Sequence, residues 1–423
     1  MAKLQRITCF EHQRLKVGQT IGEVEFTESH WQALSRFHHD KMPYYQLIHR
    51  GVKFQSFVGV LQVGNLVIEV LPKADKNAAG DTQWQTRLVE MLRVVGILKA
   101  KAPTSSSVSL KSGFILDVYF ELFCKEMAYL LKRGLVKQYR KTEGNQKALK
   151  GSLHFSRHLQ QNLIHQERFY VRHTTYDTQH LIHQLLRKTL RLIRQLNQNP
   201  VLSSEVGKLL LYFPEMPRPA RVTQVTFNKI PSIRNRNIAP YQNALDIARL
   251  LLLNYHPDVS QGQNHVLALM FDMNRLWEKF IEVTLRQFSG GDYTIKAQQS
   301  KRFWESTPMN KCSHLKPDIV LTKGDQTFVL DTKWKNVTQY TPSSSDLQQL
   351  YSYLNYFKAQ KVALVYPGTQ DSIRSGVYVN DSATSQDNNQ CLVITLAPKE
   401  TLDQWQNSIR EHLLDFWIGN KSS

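Results

Sequence analysis

Apolar residues in the first part of the chain follow patterns typical of strands before they turn helical. Two aliphatic runs, Val58–Val63 and Leu66–Leu71, meet at Gly64-Asn65. A two-residue loop between such runs is typical of a β-hairpin. Residues 84–100 then repeat apolar positions with a helical period and lead into a loop, residues 101–113, rich in Ser, Pro and Thr. The pattern predicts a β-rich N-terminal region that ends near this loop.

The middle of the chain carries longer segments with a 3.6-residue apolar period. This period predicts helices at Leu116–Arg133, Thr178–Leu196 and Tyr241–Asn254, and Gly134 is a natural stop for the first of them. The polar segment Tyr255–Asn264 reads as a linker. We therefore expect a mostly helical middle section.

Helical and strand-like patterns alternate in the last part of the chain. Asp272 is placed to cap a helix whose apolar residues recur with a helical period. The predicted elements that follow are strands at Asp318–Leu321 and Phe328–Leu330, a helix at Asp346–Ala359 and a strand at Val362–Tyr366. This order favours an α/β layer. The chain is thus predicted to be mixed α/β, with domains at residues 1–110, 111–260 and 261–423.

Basic residues are concentrated in the middle section. The 54 Lys and Arg outnumber the 35 Asp and Glu, and residues 121–240 alone hold 21 basic against 7 acidic side chains. Such an excess suits a polyphosphate partner such as DNA, because cations that neutralise phosphates release condensed counterions. Arg187, Lys188 and Arg191 are the DNA-binding candidates. A solvated helix face explains the same charges equally well.

Other compositional features exclude several protein classes. Cys9, Cys124, Cys312 and Cys391 are far apart, which argues against a zinc site or a disulfide framework. The first residues lack the apolar stretch of a signal peptide, and the longest aliphatic run, Leu250–Leu253, is far shorter than a bilayer span. We therefore expect a cytoplasmic protein without membrane association.

The strongest chemical signal lies between Lys316 and Lys335. Gly324-Asp325 is a two-residue hairpin loop, and the register it sets places Asp318 opposite Asp331. Because strand side chains alternate, Asp331 and Lys333 share a face. Opposed carboxylates destabilise a sheet unless a cation compensates, which indicates a magnesium site. Neutralisation of both carboxylates by Lys333 alone is the other interpretation of this tripeptide.

Two neighbouring helices carry further candidates. Ser345 and Gln348 have the spacing of a capping box, and Gln349 and Tyr353 lie one turn apart on the helix that follows. Glu278 lies at the border of the apolar stripe of the earlier helix. Each of these residues either serves the predicted site or is an ordinary polar surface residue.

The combination of Pro317-Asp318, an apolar strand, Asp331-Thr332-Lys333 and a following helix resembles the PD-(D/E)XK nuclease superfamily. The resemblance implies that Asp318 and Asp331 bind the metal and that Lys333 orients the attacking water and stabilises the pentacovalent phosphate. The Gln349 and Tyr353 pair resembles the accessory motif of RecB-like members. Glu278 corresponds to a further acidic residue found in many members.

Several longer segments are similar to the McrC family of modification-dependent restriction systems. They are FDMNRLWEKF (271–280), PDIV (317–320), LDTKWK (330–335), LQQLYSY (347–353), VLPKAD (70–75), RGLVKQY (133–139), KGSLHF (150–155) and YDTQHLIHQLLRKTL (176–190). Residues 1 to about 110 look like the N-terminal extension of the longer members. The resemblance implies a nuclease subunit that activates and acts with McrB, a hexameric AAA+ GTPase that also recognises the modified base.

The absence of a G-x-x-x-x-G-K-[ST] motif agrees with this division of labour, since the sequence has no P-loop of its own. The leading hypothesis is a Mg-dependent DNA endonuclease subunit of a 5-methylcytosine-type restriction complex. A stand-alone repair or recombination nuclease of the same fold is the first alternative. The second is a non-catalytic, basic nucleic-acid-binding scaffold, and metal dependence separates it from both nucleases.

Overall fold

The computed structural model describes residues 5–39, 42–72, 81–97, 115–197, 199–217, 219, 222–230, 236–256, 265–305, 312–335, 342–379 and 390–419. Four predicted features lie wholly or partly outside these ranges. They are the end of the helical segment 84–100, the loop 101–113, the linker beyond His256 and the end of the segment VLPKAD. None of the helices in the described ranges combines the length and apolarity needed to span a membrane.

The secondary structure is mixed α/β, as predicted. In chain order the strands are β1 (Gln5–Phe10), β2 (Arg14–Lys16), β3 (Thr20–Ile21), β4 (Val24–Glu25), β5 (Tyr45–Ile48), β6 (Gly51–Phe54), β7 (Phe57–Val63), β8 (Leu66–Leu71), β9 (Gln138–Gln146), β10 (Ser152–Leu153), β11 (Phe169–Asp177), β12 (Tyr255–His256), β13 (Val266–Asp272), β14 (Thr294–Ala297), β15 (Lys301–Glu305), β16 (Cys312–Leu315), β17 (Ile319–Lys323), β18 (Gln326–Thr332), β19 (Lys361–Pro367), β20 (Ser372–Val377) and β21 (Gln390–Leu396). The α-helices are α1 (Glu28–Phe37), α2 (Asp81–Val94), α3 (Ile115–Arg133), α4 (Phe155–Asn162), α5 (Leu181–Leu196), α6 (Pro200–Tyr212), α7 (Gln224–Asn228), α8 (Gln242–Leu253), α9 (Met273–Phe288), α10 (Ser344–Tyr356) and α11 (Leu402–Arg410). A 3-10 turn covers Ala239–Tyr241, and a π-helical segment covers Glu411–Ile418.

The chain forms two compact units, a division that differs from the three predicted domains. One unit contains Met1–Lys99 and Ser260–Ser423, and the other contains Ala100–Val259. The first unit joins the two ends of the sequence because β13 pairs antiparallel with β7 along its whole length. Pairing between strands that are distant in sequence leaves no local signal in the residues. The predicted division into domains 1–110, 111–260 and 261–423 therefore did not include the pairing of β7 with β13.

The N-terminal sheet of the first unit is built on the predicted hairpin. Val63 pairs with Leu66 across Gly64-Asn65, which confirms the turn. Strand β8 then pairs parallel with β1. Leu61, Ile68 and Val266 lie in the core that these strands bury. Both faces of β8 are buried, which explains its continuous apolar run.

A six-stranded sheet forms the C-terminal part of the same unit, in the order β14-β17-β18-β19-β21-β20. Strands β18, β19 and β21 are parallel, whereas β17 pairs antiparallel with β18. Helix α10 connects β18 to β19, as a parallel pair requires. Its residues Leu350 and Tyr353 pack in one core with Val329 and Val362. The predicted order of helix, hairpin, helix and strand is therefore confirmed.

Two helices that contact this sheet, α9 and α10, each have a side-chain cap at their start. Asp272 accepts a hydrogen bond from Asn274 N at 3.0 Å, which confirms the predicted cap of α9. At α10 the predicted capping box was wrong. The cap is Ser343, whose Oγ accepts from Asp346 N at 3.2 Å, so the helix begins two residues earlier than predicted. Runs of serine offer several equivalent caps, and tertiary packing selects one of them.

The second unit is helical, as predicted, but it also contains a three-stranded antiparallel sheet, β10-β11-β9, that the sequence did not indicate. The predicted helices correspond to α3, α5 and α8. Strand β9 has the sequence QYRKTEGNQ and is exposed along every second residue. A ribbon without an apolar face lacks the alternation by which strands are recognised in a sequence.

Gly59 is the residue on which the pairing of β7 and β13 depends most closely. Its φ of +133° suits glycine, and a Cβ atom at this position would lie 2.0 Å from the carbonyl oxygen of Leu269. The replacement Gly59→Ala should therefore lower the free energy of unfolding by about 3 kcal/mol. The measurement is urea unfolding followed by tryptophan fluorescence.

Gly376→Ala in β20 is the matched control, because its φ is ordinary and a Cβ there would meet only Cys391 O at 3.8 Å. The control should change the free energy of unfolding by less than about 1 kcal/mol. Equal unfolding midpoints for the two variants would contradict the assigned role of Gly59.

Candidate active site

The hairpin β17–β18 has the predicted register, with Lys323 opposite Gln326 and Ile319 opposite Leu330. Gly324 in its turn has a φ of +57°, as a tight hairpin loop requires. Asp318 directly precedes β17, and its Oδ2 accepts hydrogen bonds from the backbone N of Thr332 at 2.7 Å and from Thr332 Oγ1 at 2.9 Å. These bonds hold the Asp318 carboxylate at the carboxyl end of β18.

Asp331 and Lys333 form the centre of the site. Asp331 is 1% exposed, and its Oδ2 lies 2.6 Å from Lys333 Nζ. Burial, and then the charge of Asp318, raise the pKa of Asp331 to about 6, while Lys333 acts in the opposite direction. Burial alone would lower the pKa of Lys333, but Asp331 and Asp318 raise it above its usual value. The lysine is therefore a stable cation at neutral pH.

Glu278 reaches the same site through a residue that the sequence did not reveal, Gln298. Gln298 Nε2 donates to Glu278 Oε1 and, at 3.2 Å, to Asp318 Oδ1. Its backbone N also donates to Asp318 O at 2.8 Å. Burial, and then the charge of Asp318, raise the pKa of Glu278. Gln298 directly follows β14 and belongs to no recognisable sequence motif. Its φ of +52° is set by the fold and cannot be predicted from the sequence pattern.

The predicted pair on α10 also joins the site. Lys333 Nζ donates to Gln349 Oε1 at 3.0 Å, and Gln349 Nε2 donates to Tyr353 OH at 2.8 Å. Tyr353 is 2% exposed and packs in the core between α10 and the sheet. Gln349 thus connects the ammonium group of Lys333 to a rigid part of the fold. Tyr353 is therefore a buried position, and Gln349 is half-buried with both its amide oxygen and its amide nitrogen hydrogen-bonded.

Asp346 is a second buried carboxylate nearby that sequence reasoning missed. Lys335 Nζ lies 2.9 Å from Asp346 Oδ2, and Tyr366 OH donates to the same oxygen at 3.2 Å. Because Asp346 is paired with these two groups, it stabilises the start of α10 rather than facing a ligand. An Asp at the start of a helix is so common that no sequence pattern singles out Asp346.

The donor set fits a magnesium ion. The charge of Asp318 contributes to the raised pKa of Asp331, and a divalent cation would relieve that repulsion. Within the described ranges no group of three or more His, Cys, Asp or Glu side chains is arranged to hold a metal. Two carboxylates are nevertheless a usual protein contribution to Mg²⁺, whose remaining ligands are water and substrate phosphate.

The predicted basic candidates lie on α5, in the other unit, and the structure gives Arg187 a different role. Arg187 is only 5% exposed, donates to the carbonyls of Phe213 and Pro214, and pairs with Glu215. Arg191 lies 3.2 Å from the same glutamate, and burial lowers the pKa of Lys188. Arg187 therefore stabilises the segment after α6 and exposes little of its side chain to a phosphate. A count of charges cannot show which cations a helix buries.

Comparisons with known proteins agree with this architecture. The family model described as "McrBC 5-methylcytosine restriction system component" matches residues 52–367, which include the whole candidate site. No curated protein matches the chain.

Two solved structures resemble the fold. A chain from the refined half-complex of the tetradecameric assembly of Thermococcus gammatolerans McrB AAA+ hexamers with bound McrC aligns with a TM-score of 0.70 and 19% identity, over 97% of this chain and 100% of that chain. A chain of the cryo-EM structure of the Thermococcus gammatolerans McrBC complex aligns with a TM-score of 0.50 and 19% identity, over 67% of this chain and 88% of that chain.

The family match covers far more than half of the sequence and confirms the family resemblance that the sequence motifs indicated. The chain belongs to the McrBC 5-methylcytosine restriction system component family.

Proposed function

We propose that this chain is the Mg-dependent DNA endonuclease subunit of a modification-dependent restriction complex, of the PD-(D/E)XK type. The observation that carries the proposal is the cluster at the end of β18. Asp318 and the buried Asp331 lie beside Lys333, and Gln349 fixes the lysine from the neighbouring helix. Two carboxylates and one oriented cation at a single point are the groups that phosphodiester hydrolysis requires.

Each group has a defined part in this chemistry. Asp318 and Asp331 would hold the magnesium ion, which polarises the phosphate and lowers the pKa of bound water. Lys333 stays protonated because both carboxylates raise its pKa. Its ammonium group is therefore available to orient the attacking water and to stabilise negative charge at the phosphorus. Gln349 restricts the positions that this ammonium group can adopt.

The proposed partner is a McrB-like AAA+ GTPase hexamer. Three observations support it. The sequence contains no P-loop, the family is that of a restriction system component, and the solved structures of similar fold come from assemblies of McrB AAA+ hexamers with bound McrC. In such a complex the partner would recognise modified DNA and hydrolyse the nucleotide, and this chain would cut. The DNA itself would meet the basic surface of the second unit by its phosphates, without Arg187.

Replacing Asp331 tests the site directly. Asp331→Ala removes a metal ligand and the partner of Lys333, so cleavage in the presence of Mg²⁺ should fall by at least about a hundredfold, or roughly 2.7 kcal/mol in the barrier. The measurement is the rate of cleavage of methylated DNA by the reconstituted complex. Asp325→Ala, in the exposed turn of the same hairpin, is the matched control and should cut at the wild-type rate. A loss of less than about tenfold in Asp331→Ala would refute the assignment.

Gln349 gives a second, more selective test. Gln349→Ala frees Lys333 Nζ from its contact with α10, so kcat should fall about tenfold while KM for DNA stays nearly constant. Gln348→Ala, at the neighbouring exposed position of the same helix, should leave both constants unchanged. Thermal unfolding of both variants checks that the helix remains intact. If Gln349→Ala raised KM alone, Gln349 would be a substrate contact and not a positioning residue.

The partner assignment has its own measurement. When this chain is added to an McrB-like AAA+ protein, GTP or ATP turnover, followed as phosphate release, should rise by at least about tenfold. Asp331→Ala should stimulate turnover as well as the wild type, because the variant loses only the cutting centre. If the chain neither stimulates nor binds the ring and cuts unmodified DNA with Mg²⁺ alone, the stand-alone nuclease takes the place of the restriction subunit.

A further inference from the structure

A groove of about 1030 Å³ opens beside the candidate active site, within the unit formed by the two ends of the chain. Glu278 and Gln298 line it at one side, so the groove is continuous with the Asp318 carboxylate that Gln298 contacts. Lys316, two residues before Asp318, also lines the groove. The nuclease chemistry proposed above uses only this edge of the groove and leaves most of its volume unexplained.

The remainder of the groove is mostly apolar and carries three aromatic residues, the cations Arg275 and Lys279, and one carboxylate, Asp272. Tyr44 and Phe57 lie in its wall with ring centroids 5.4 Å apart at an interplanar angle of 67°. Arg275, on the first turn of α9, has an 88% exposed side chain and only a long contact of 3.8 Å to Asp272. Its guanidinium group is therefore able to bind a further anion from the open side of the groove.

This lining distinguishes between classes of ligand. Aromatic faces beside scattered cations are typical of sites for single-stranded nucleic acid, where bases stack and phosphates are neutralised. The volume is enough for a few nucleotides and too small to enclose a duplex. An apolar peptide would desolvate the exposed Arg275 guanidinium without offering it an acceptor, which makes a protein ligand less suitable.

We propose that the groove binds a single DNA strand next to the phosphodiester that is cut, with Tyr44 and Phe57 as the stacking surface and Arg275 and Lys316 as phosphate contacts. This inference rests on the proposed nuclease function, which it extends by assigning the path of the strand on one side of the site. A strand that leaves the duplex here would present its phosphate toward Asp318.

The direct test is binding of a fluorescein-labelled oligothymidylate of about six nucleotides to the full-length wild-type chain in EDTA, followed by fluorescence anisotropy. Tyr44→Ala should raise Kd about tenfold, because it removes a stacking face. Tyr44→Phe keeps the ring and should bind like the wild type. Arg275→Glu should raise Kd at least about fivefold and reduce the slope of log Kd against log salt by about 0.7, the value for one phosphate contact.

Arg14→Ala, at an exposed position of β2 in the same unit, is the charge control and should bind like the wild type. Tyr44 is partly buried against the N-terminal core, so thermal unfolding must show that Tyr44→Ala folds. If Tyr44→Ala does not fold, Arg275→Glu decides the test by itself. This variant should fold, because the Arg275 side chain is almost fully exposed.

A photochemical experiment gives the location independently of affinity. An oligothymidylate with one 5-iododeoxyuridine should cross-link, on irradiation of the wild-type chain, to peptides that contain Tyr44, Phe57 or Phe271, as read by mass spectrometry. Cross-links confined to other peptides, together with unchanged affinity in Arg275→Glu, would overturn the inference.

Cleavage assays separate this inference from the proposed function. If the wild type cuts DNA and the groove variants bind and cut as it does, the groove assignment fails and the nuclease assignment stands. If the wild type never cuts DNA but binds the oligothymidylate through Tyr44, the nuclease assignment fails and the groove remains a single-strand site.

Discussion

The burial of the Asp331 carboxylate is the constraint on which the candidate site depends. An ionised carboxylate with 1% exposure is costly unless a cation is nearby. Lys333 supplies that charge at 2.6 Å, while the charge of Asp318, directly before the facing strand β17, raises the pKa of Asp331. The two carboxylates thus share one cation, Lys333, and this imbalance is the basis on which we propose a divalent cation at the end of β18.

The same ion pair is held in place by side chains that belong to the packed core of the fold. Lys333 is held by Gln349, and Gln349 by Tyr353, which is itself buried between α10 and the sheet. On the other side, Gln298 joins Asp318 to Glu278 of α9. The position of Lys333 thus depends on α10 and that of Asp318 on α9, so small changes in the packing of these helices would move the groups of the candidate site relative to one another.

The basic residues of the second unit do not all serve the same purpose. Its basic excess is visible in composition, but individual cations differ in what they do. Arg187 is buried against two backbone carbonyls and Glu215, so its charge supports the fold. Desolvation makes an unpaired guanidinium costly in such a place, and a helix therefore buries an arginine only where acceptors already exist.

The sequence by itself determined the local features of the site. The Gly324-Asp325 turn fixed the register of the hairpin, and strand alternation placed Asp331 and Lys333 on one face, because both effects act over a few residues. The helical period of α10 likewise put Gln349 one turn from Tyr353. Tertiary structure alone decided that Gln298 bridges Glu278 and Asp318, that β13 pairs with β7, and that Arg187 is buried. Each of these depends on contacts between segments far apart in sequence, whose energies arise only when the whole chain packs and leave no periodic trace in the residues themselves.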